Sequence, residues 1–243
     1  MLDFLSHAAP QDVVLVHGAG GNSLLWKRTI QGLSGSARAL AVNLPGHPEG
    51  EVTCTSVSDY VEALHRFFAD ADLTRPVVCV HSMGGAIVLA LSLAHPEDVG
   101  GLMLVSTGAK LGVDPAILEG LRSEPMKAIE NTITPRSFNL LDIGLAREAR
   151  TALSITNLPV FLNDYLACDG FDVRKEIENI TATTVVICGD KDAMTPPKWS
   201  HYLRAHIPDS EAYFVKDSGH MLPLEKPDTL ARLMQSFLSD LTR

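Results

Sequence analysis

Residues 76–94 read PVVCVHSMGGAIVLALSLA. Val77–Val80 is a short valine-rich run of the kind found in strands buried on both faces. Ala86–Ala94 is apolar all round, as a helix buried inside a domain is. Only His81-Ser82-Met83-Gly84-Gly85 separates the two, so the chain turns sharply from strand to helix. A serine in such a turn stands at the carboxyl edge of a parallel sheet. It also sits over a helix N-terminus, whose free N–H groups favour developing negative charge. Gly84 and Gly85 supply the small neighbours that a tight turn needs. Taken alone, the segment equally fits a serine that merely caps a helix.

Similar short apolar runs occur at Val13–Val16, Ala39–Val42, Leu102–Val105, Thr184–Cys188 and Ala212–Val215. Helical stripes lie between and after them. Val57, Tyr60, Val61, Leu64, Phe67 and Phe68 form one, and Leu230, Leu233, Met234, Phe237, Leu238 and Leu241 another. Alternating strands and helices predict an α/β fold, a mostly parallel doubly wound sheet with helices on both faces. From Gly108 to Asn179 the alternation stops. Short helical segments punctuated by Pro115, Pro125, Pro135 and Pro159 replace it. The expected organisation is a core of residues 1–107 and 180–243 with a helical cap inserted at 108–179. A parallel crossover needs only about a dozen residues. The extra chain is therefore expected to cover Ser82, with Phe138, Leu140, Leu141, Val160 and Phe161 burying against a cavity there.

A chain of 243 residues suits one domain with an insertion. The formal net charge of −9 argues against nucleic acid and anionic membrane as partners. The apolar runs fall far short of the roughly 20 residues that span a bilayer, and the start of the chain lacks the pattern of a secretory signal. Cys54, Cys79, Cys168 and Cys188 form no CxxC pair, so neither a metal site nor a disulfide framework is expected. A reduced, cytoplasmic setting is the expectation.

Three further loops carry chemistry. His17-Gly18-Ala19-Gly20-Gly21 follows the first strand, where glycines let backbone N–H groups approach a reacting carbonyl. The amides of Ala19 and Met83 are the candidate oxyanion donors. The spacing is not the G-x-G-x-x-G of dinucleotide sites. Gly189-Asp190-Lys191-Asp192 follows the fifth strand, and either carboxylate there is placed to orient an imidazole. Asp217-Ser218-Gly219-His220 follows the last strand. His7, His65, His95, His201 and His206 read as ordinary surface residues.

The order Ser, Asp, His, each after a strand, resembles the α/β-hydrolase superfamily. HGAGGNSLLW (17–26) resembles its oxyanion loop and HSMGG (81–85) its nucleophile elbow. GDKDAMTPP (189–197) resembles its acid loop and DSGHMLPLEKP (217–227) its histidine loop. The resemblance implies Ser82 as nucleophile, His220 as general base and Asp192 as orienting acid. Asp192 is preferred because the family's acid loop reads G-x-x-D with a proline four residues on, matched by Gly189, Asp192 and Pro196. Asn43-Leu44-Pro45-Gly46-His47 resembles a D-x-P-G-H loop with Asn43 where aspartate is usual, which makes His47 a structural residue. Val80 stands where the elbow usually has glycine. The short leader Met1–Asp12 leaves little room for the family's first hairpin, so the sheet is expected to be trimmed at its N-terminal edge.

The activity implied is acyl transfer through Ser82 on a small or medium ester, thioester or lactone, with no cofactor and no metal. Diketone carbon–carbon hydrolysis, cofactor-free haloperoxidase-like chemistry and slow-turnover ligand reception are the alternatives that the same resemblance offers. Leu24, Trp26, Met126, Phe138, Phe161 and Met221 are the expected pocket walls.

Overall fold

The short apolar runs do form strands: the four central ones are buried almost throughout, and the two at the edges are partly exposed. The computed structural model describes residues 11–33, 35–138 and 157–242. Six strands are present: β1 Asp12–Val16, β2 Arg38–Val42, β3 Val77–His81, β4 Gly101–Val105, β5 Thr184–Gly189 and β6 Ser210–Val215. They pair in the order β2-β1-β3-β4-β5-β6, and every pairing is parallel. The sheet is open, and β2 is its edge among the described residues, in line with the expected trimming. The leader reading itself falls mostly on residues 1–10, outside the described residues.

Seven helices of six residues or more are described. They are α1 Lys27–Gly32, α2 Val57–Asp70, α3 Met83–Ala94, α4 Pro115–Ser123, α5 Leu158–Asp169, α6 Pro197–His206 and α7 Pro227–Leu241. The period of two along each strand divides the core between the faces. Val14, Val16, Val78, Val80, Leu102, Leu104 and Val186 point one way, onto Tyr60, Leu64 and Phe68 of α2, Ile87 and Leu91 of α3, and Leu203 of α6. Val13, Leu15, Val77, Cys79, Met103, Val105, Val185 and Ile187 point the other way, onto Trp26 and onto Leu230, Met234 and Leu238 of α7. Burying one such Val, Leu or Ile side chain is worth roughly 1.5–3 kcal/mol, so truncation on either face is costly.

Between β4 and β5 the described residues contain no strand, only an isolated antiparallel bridge between Lys110 and Asp172. Helices α4 and α5 and the short helical segments Pro125–Ala128, Ile129–Ile133 and Thr134–Ser137 bury a cluster of their own. It includes Ile117, Leu121, Ile129, Ile133, Phe161 and Tyr165. Leu140 and Leu141 lie outside the described residues. The strand order reverses between β1 and β3, whose carboxyl ends are adjacent, and ligand crevices open at such a switch point.

Candidate active site

Ser82 links β3 to α3 as the N-cap residue of that helix, with φ 52° and ψ −116°. A side-chain-bearing residue at positive φ costs about 1–3 kcal/mol and needs outside support. Three hydrogen bonds supply it: Ser82 N–H to Val105 O at 3.1 Å, Gly85 N–H to Ser82 O at 2.8 Å, and Thr107 Oγ1 to Ser82 O at 2.8 Å. Val80 does not prevent the turn. Its side chain is fully buried in the cluster that the sheet shares with α2 and α3. Met83 opens α3, so its N–H has no partner inside the helix.

Asp192 and His220 meet just beyond the carboxyl ends of β5 and β6. His220 Nδ1 lies 2.9 Å from Asp192 Oδ2 and 3.1 Å from Oδ1, with both residues buried. Asp192 Oδ1 also accepts from Met194 N–H at 2.9 Å and Thr195 N–H at 2.8 Å, and Oδ2 accepts from Thr195 Oγ1 at 2.9 Å. Burial raises the Asp192 pKa, but the charge and hydrogen bonds of His220 and Thr195 outweigh it and hold the carboxyl below the usual range. A carboxylate can only accept, so Nδ1 of His220 donates to it, which in the neutral imidazole is the tautomer that leaves Nε2 its lone pair. The two loops touch closely. A Cβ on Gly189 would lie 2.3 Å from Gly219 O, which explains why that position has no side chain. Asp190, the rival carboxylate, is exposed and accepts only a long 3.4 Å bond from Ser218 N–H. Lys191 pairs with Asp217 at 2.6 Å, not with Asp190.

Ser82, His220, Gly18 and Ala19 open into one cavity of about 810 Å³. Its walls include Ile117, Ile133, Phe161 and Tyr165 from the helices between β4 and β5. Of the expected wall residues, Leu24, Phe161 and Met221 line it. Trp26, Met126 and Phe138 do not, and the expectation for these three is corrected. Trp26 is fully buried beneath the sheet with α7, and Phe138 packs into that same cluster beside Met221. Met126 points to solvent at 44% exposure. Phase along a helix decides such cases, and composition alone does not show it.

Several further polar residues tie the loops of the site together. His81 Nε2 donates to His220 O at 2.9 Å and so props the histidine loop. Ser137 O accepts from both His220 N–H and Met221 N–H, at 3.0 and 3.1 Å. Asn43 Oδ1 accepts from Ser23 N–H at 2.7 Å, a loop-tying role that an amide fills as well as aspartate would. His17 Nε2 accepts from Leu44 N–H at 3.1 Å, leaving Nδ1–H to donate to Gly18 O at 2.8 Å. His47 is buried, as its structural reading implies, and bonds Asp164 at 2.8 Å. Among the described residues one trio, His65, His95 and Asp98, has metal-ligand atoms close together. Its imidazoles stack nearly parallel, which sends their lone pairs side by side rather than to a common point, and none of the three lines the cavity.

Burial drives the pKa of His17 and of His81 from 6.5 down to about 3, aided by neighbouring histidines. The unfolded chain takes protons that the folded chain refuses. The stability they contribute is therefore complete above pH 6.5 and is lost as pH falls toward 3. Each is expected to remove on the order of 1 kcal/mol per pH unit in that window. His47 has a raised pKa, so its contribution is fully present below pH 6.5 and does not offset the loss. Denaturant unfolding at pH 7, 6 and 5 measures the effect. His81→Gln, which keeps a donor for His220 O, should flatten the slope by one histidine's share. Equal wild-type stability at pH 7 and 5 would contradict the assignment.

Comparison with known proteins places these features in context. Residues 13–233 match the model described as the Alpha/beta hydrolase family. The chain is 27% identical to a pimeloyl-[acyl-carrier protein] methyl ester esterase of Neisseria meningitidis, over 95% of this chain and 94% of that one. It is 28% identical to a 2-hydroxy-6-oxononadienedioate/2-hydroxy-6-oxononatrienedioate hydrolase of Pseudomonas putida, over 94% of this chain and 88% of that one. The solved structure of a thermophilic esterase superposes with a TM-score of 0.84 at 30% identity, covering 94% of this chain and 90% of the other. No described helix is long and apolar enough to cross a membrane.

Proposed function

This chain belongs to the alpha/beta hydrolase family, and on that premise we propose that it is a serine hydrolase that cleaves carboxylic esters through an acyl-enzyme on Ser82. The observation that carries the reading is the buried Asp192–His220 pair, with His220 and the positive-φ Ser82 opening on one cavity. His220 Nε2 takes the Ser82 proton as Oγ attacks the substrate carbonyl. Asp192 holds the tautomer and stabilises the imidazolium. The amides of Ala19 and Met83 receive the oxyanion. His220 then protonates the leaving alcohol, and water, deprotonated by the same imidazole, releases the acid.

The helices between β4 and β5 act as a cap that selects the acyl group. Apolar side chains dominate its contribution to the cavity, while Lys27, Arg28, Lys110 and Arg136 are also among the wall residues, Lys110 paired with Asp172 at 3.4 Å and Arg136 with Asp114 at 3.1 Å. The apolar wall favours esters whose acyl part is apolar.

A panel of p-nitrophenyl esters of rising chain length, with and without a terminal carboxylate, tests the reading. Rapid multiple turnover is expected. Absence of ester turnover across the panel would overturn it, and cleavage confined to diketones would favour the carbon–carbon alternative. Ile117→Ala, in the cap wall, should reorder kcat/KM among chain lengths by roughly tenfold, the scale of a lost methylene contact or two. Phe138→Ala, behind the wall, should leave the ranking intact. An unchanged ranking in Ile117→Ala would show that the cap does not select.

A further inference from the structure

The cap helix α5 carries a carboxylate that serves no surface role. Asp164 is fully buried. Its Oδ2 accepts from Gly20 N–H at 2.8 Å and from His47 Nε2 at 2.8 Å, and its Oδ1 accepts from Tyr60 OH at 2.7 Å. Four segments therefore meet at one carboxylate: the cap, the loop after β1, the loop after β2 and helix α2. Phe161, one turn earlier on the same helix, covers Gly20 from the other side. A Cβ on Gly20 would lie 2.1 Å from Phe161 Cε2, and Gly20 has φ +64°. The residue gripped in this way directly follows Ala19, which lines the cavity together with Ser82. Fixing the Ala19–Gly20 peptide at its N–H fixes the ψ of Ala19 and leaves the preceding peptide, with the Ala19 N–H, little freedom to rotate.

We propose that Asp164 is a positioning residue for the reaction: through Gly20 it holds the Ala19 amide where the oxyanion forms, so that the cap presets the catalytic centre as well as covering it. The inference rests on the serine-hydrolase reading above. An oxyanion donor acts chiefly in the transition state, where charge develops on the carbonyl oxygen. Its misplacement therefore reduces kcat and leaves substrate binding largely alone.

The chemistry of the knot separates this role from plain support. Asparagine can keep the acceptor for Gly20 and His47, while its amide donates to Tyr60, whose hydroxyl accepts as readily as it donates. Tyr60→Phe removes one bond to Asp164 and leaves the Gly20 bond in place. Both Asp164→Ala and Tyr60→Phe should lower the melting temperature. Only Asp164→Ala should lower kcat for a p-nitrophenyl ester, by roughly 10–100-fold with KM nearly constant. Asp164→Asn should restore most of it. Unchanged kcat in folded Asp164→Ala, a loss confined to KM, or an equal kcat loss in Tyr60→Phe overturns the inference. If Asp164→Ala does not fold, amide hydrogen exchange in the wild-type protein decides. Strong protection of the Gly20 N–H supports the grip, and exchange at the rate of a free loop overturns it. Ser82→Ala assayed in parallel separates the two levels, because turnover surviving there removes the hydrolase reading itself.

Discussion

Ser82→Ala is expected to lower kcat/KM for esters by roughly 10⁴–10⁶, with the fold and its melting temperature nearly unchanged. The substitution removes one hydroxyl and no backbone bond. The Ser82 N–H to Val105 O bond and the Thr107 bond to Ser82 O both remain. Helix α3 keeps its first turn, so the Met83 amide keeps its place. What is lost is the atom that attacks the carbonyl. The rate that survives is the part owed to binding and to the oxyanion donors acting on water. A variant that folds normally, binds substrate and still turns over within about tenfold of wild type would be incompatible with nucleophilic catalysis at Ser82.

Asp192→Asn should cost on the order of 10³–10⁴ in kcat, and Asp190→Asn far less. Asp192 is the acceptor for His220 Nδ1, for two main-chain amides and for the Thr195 hydroxyl. An asparagine must turn its NH₂ toward some of these donors. If it faces His220, Nδ1 becomes the acceptor and the proton moves to Nε2, which can no longer take one from Ser82. If it faces the amides, buried N–H groups lose their partner and the loop shifts. Either outcome removes the base, whichever way the amide settles. Asp190 has only an exposed 3.4 Å contact with Ser218 to lose. Steady-state kinetics on both variants decides the matter. A crippled Asp190→Asn beside an active Asp192→Asn would reverse the choice of carboxylate.

The sheet was legible because parallel strands buried on both faces leave an unmistakable trace, and all six valine-rich runs became strands. The loops at their carboxyl ends were legible for a related reason. Each departs from the apolar pattern at the point where the chain leaves the sheet, and that is where functional side chains gather. The cavity wall was harder to read. Trp26 and Phe138 are large and apolar, and such residues serve core and pocket alike. Only their orientation sends them beneath the sheet. Asp164 was missed because an acidic residue in a helix ordinarily faces solvent. A signal for it did exist. On α5 it falls in register with Val160, Phe161, Tyr165 and Cys168, in the middle of the buried stripe. A carboxylate placed there must find partners or lose its charge. The partners, His47, Tyr60 and Gly20, stand more than a hundred residues away in sequence, so local pattern gave no hint of them.

The central claim is that one serine, Ser82, forms the covalent intermediate. Titration with a fluorophosphonate probe, followed by proteolysis and mass mapping of the adduct, addresses it directly. The account predicts one adduct per chain, located on Ser82, with esterase turnover lost in proportion to labelling. An adduct on another residue that accounts for the lost turnover, or full turnover after Ser82 is completely labelled, would contradict it.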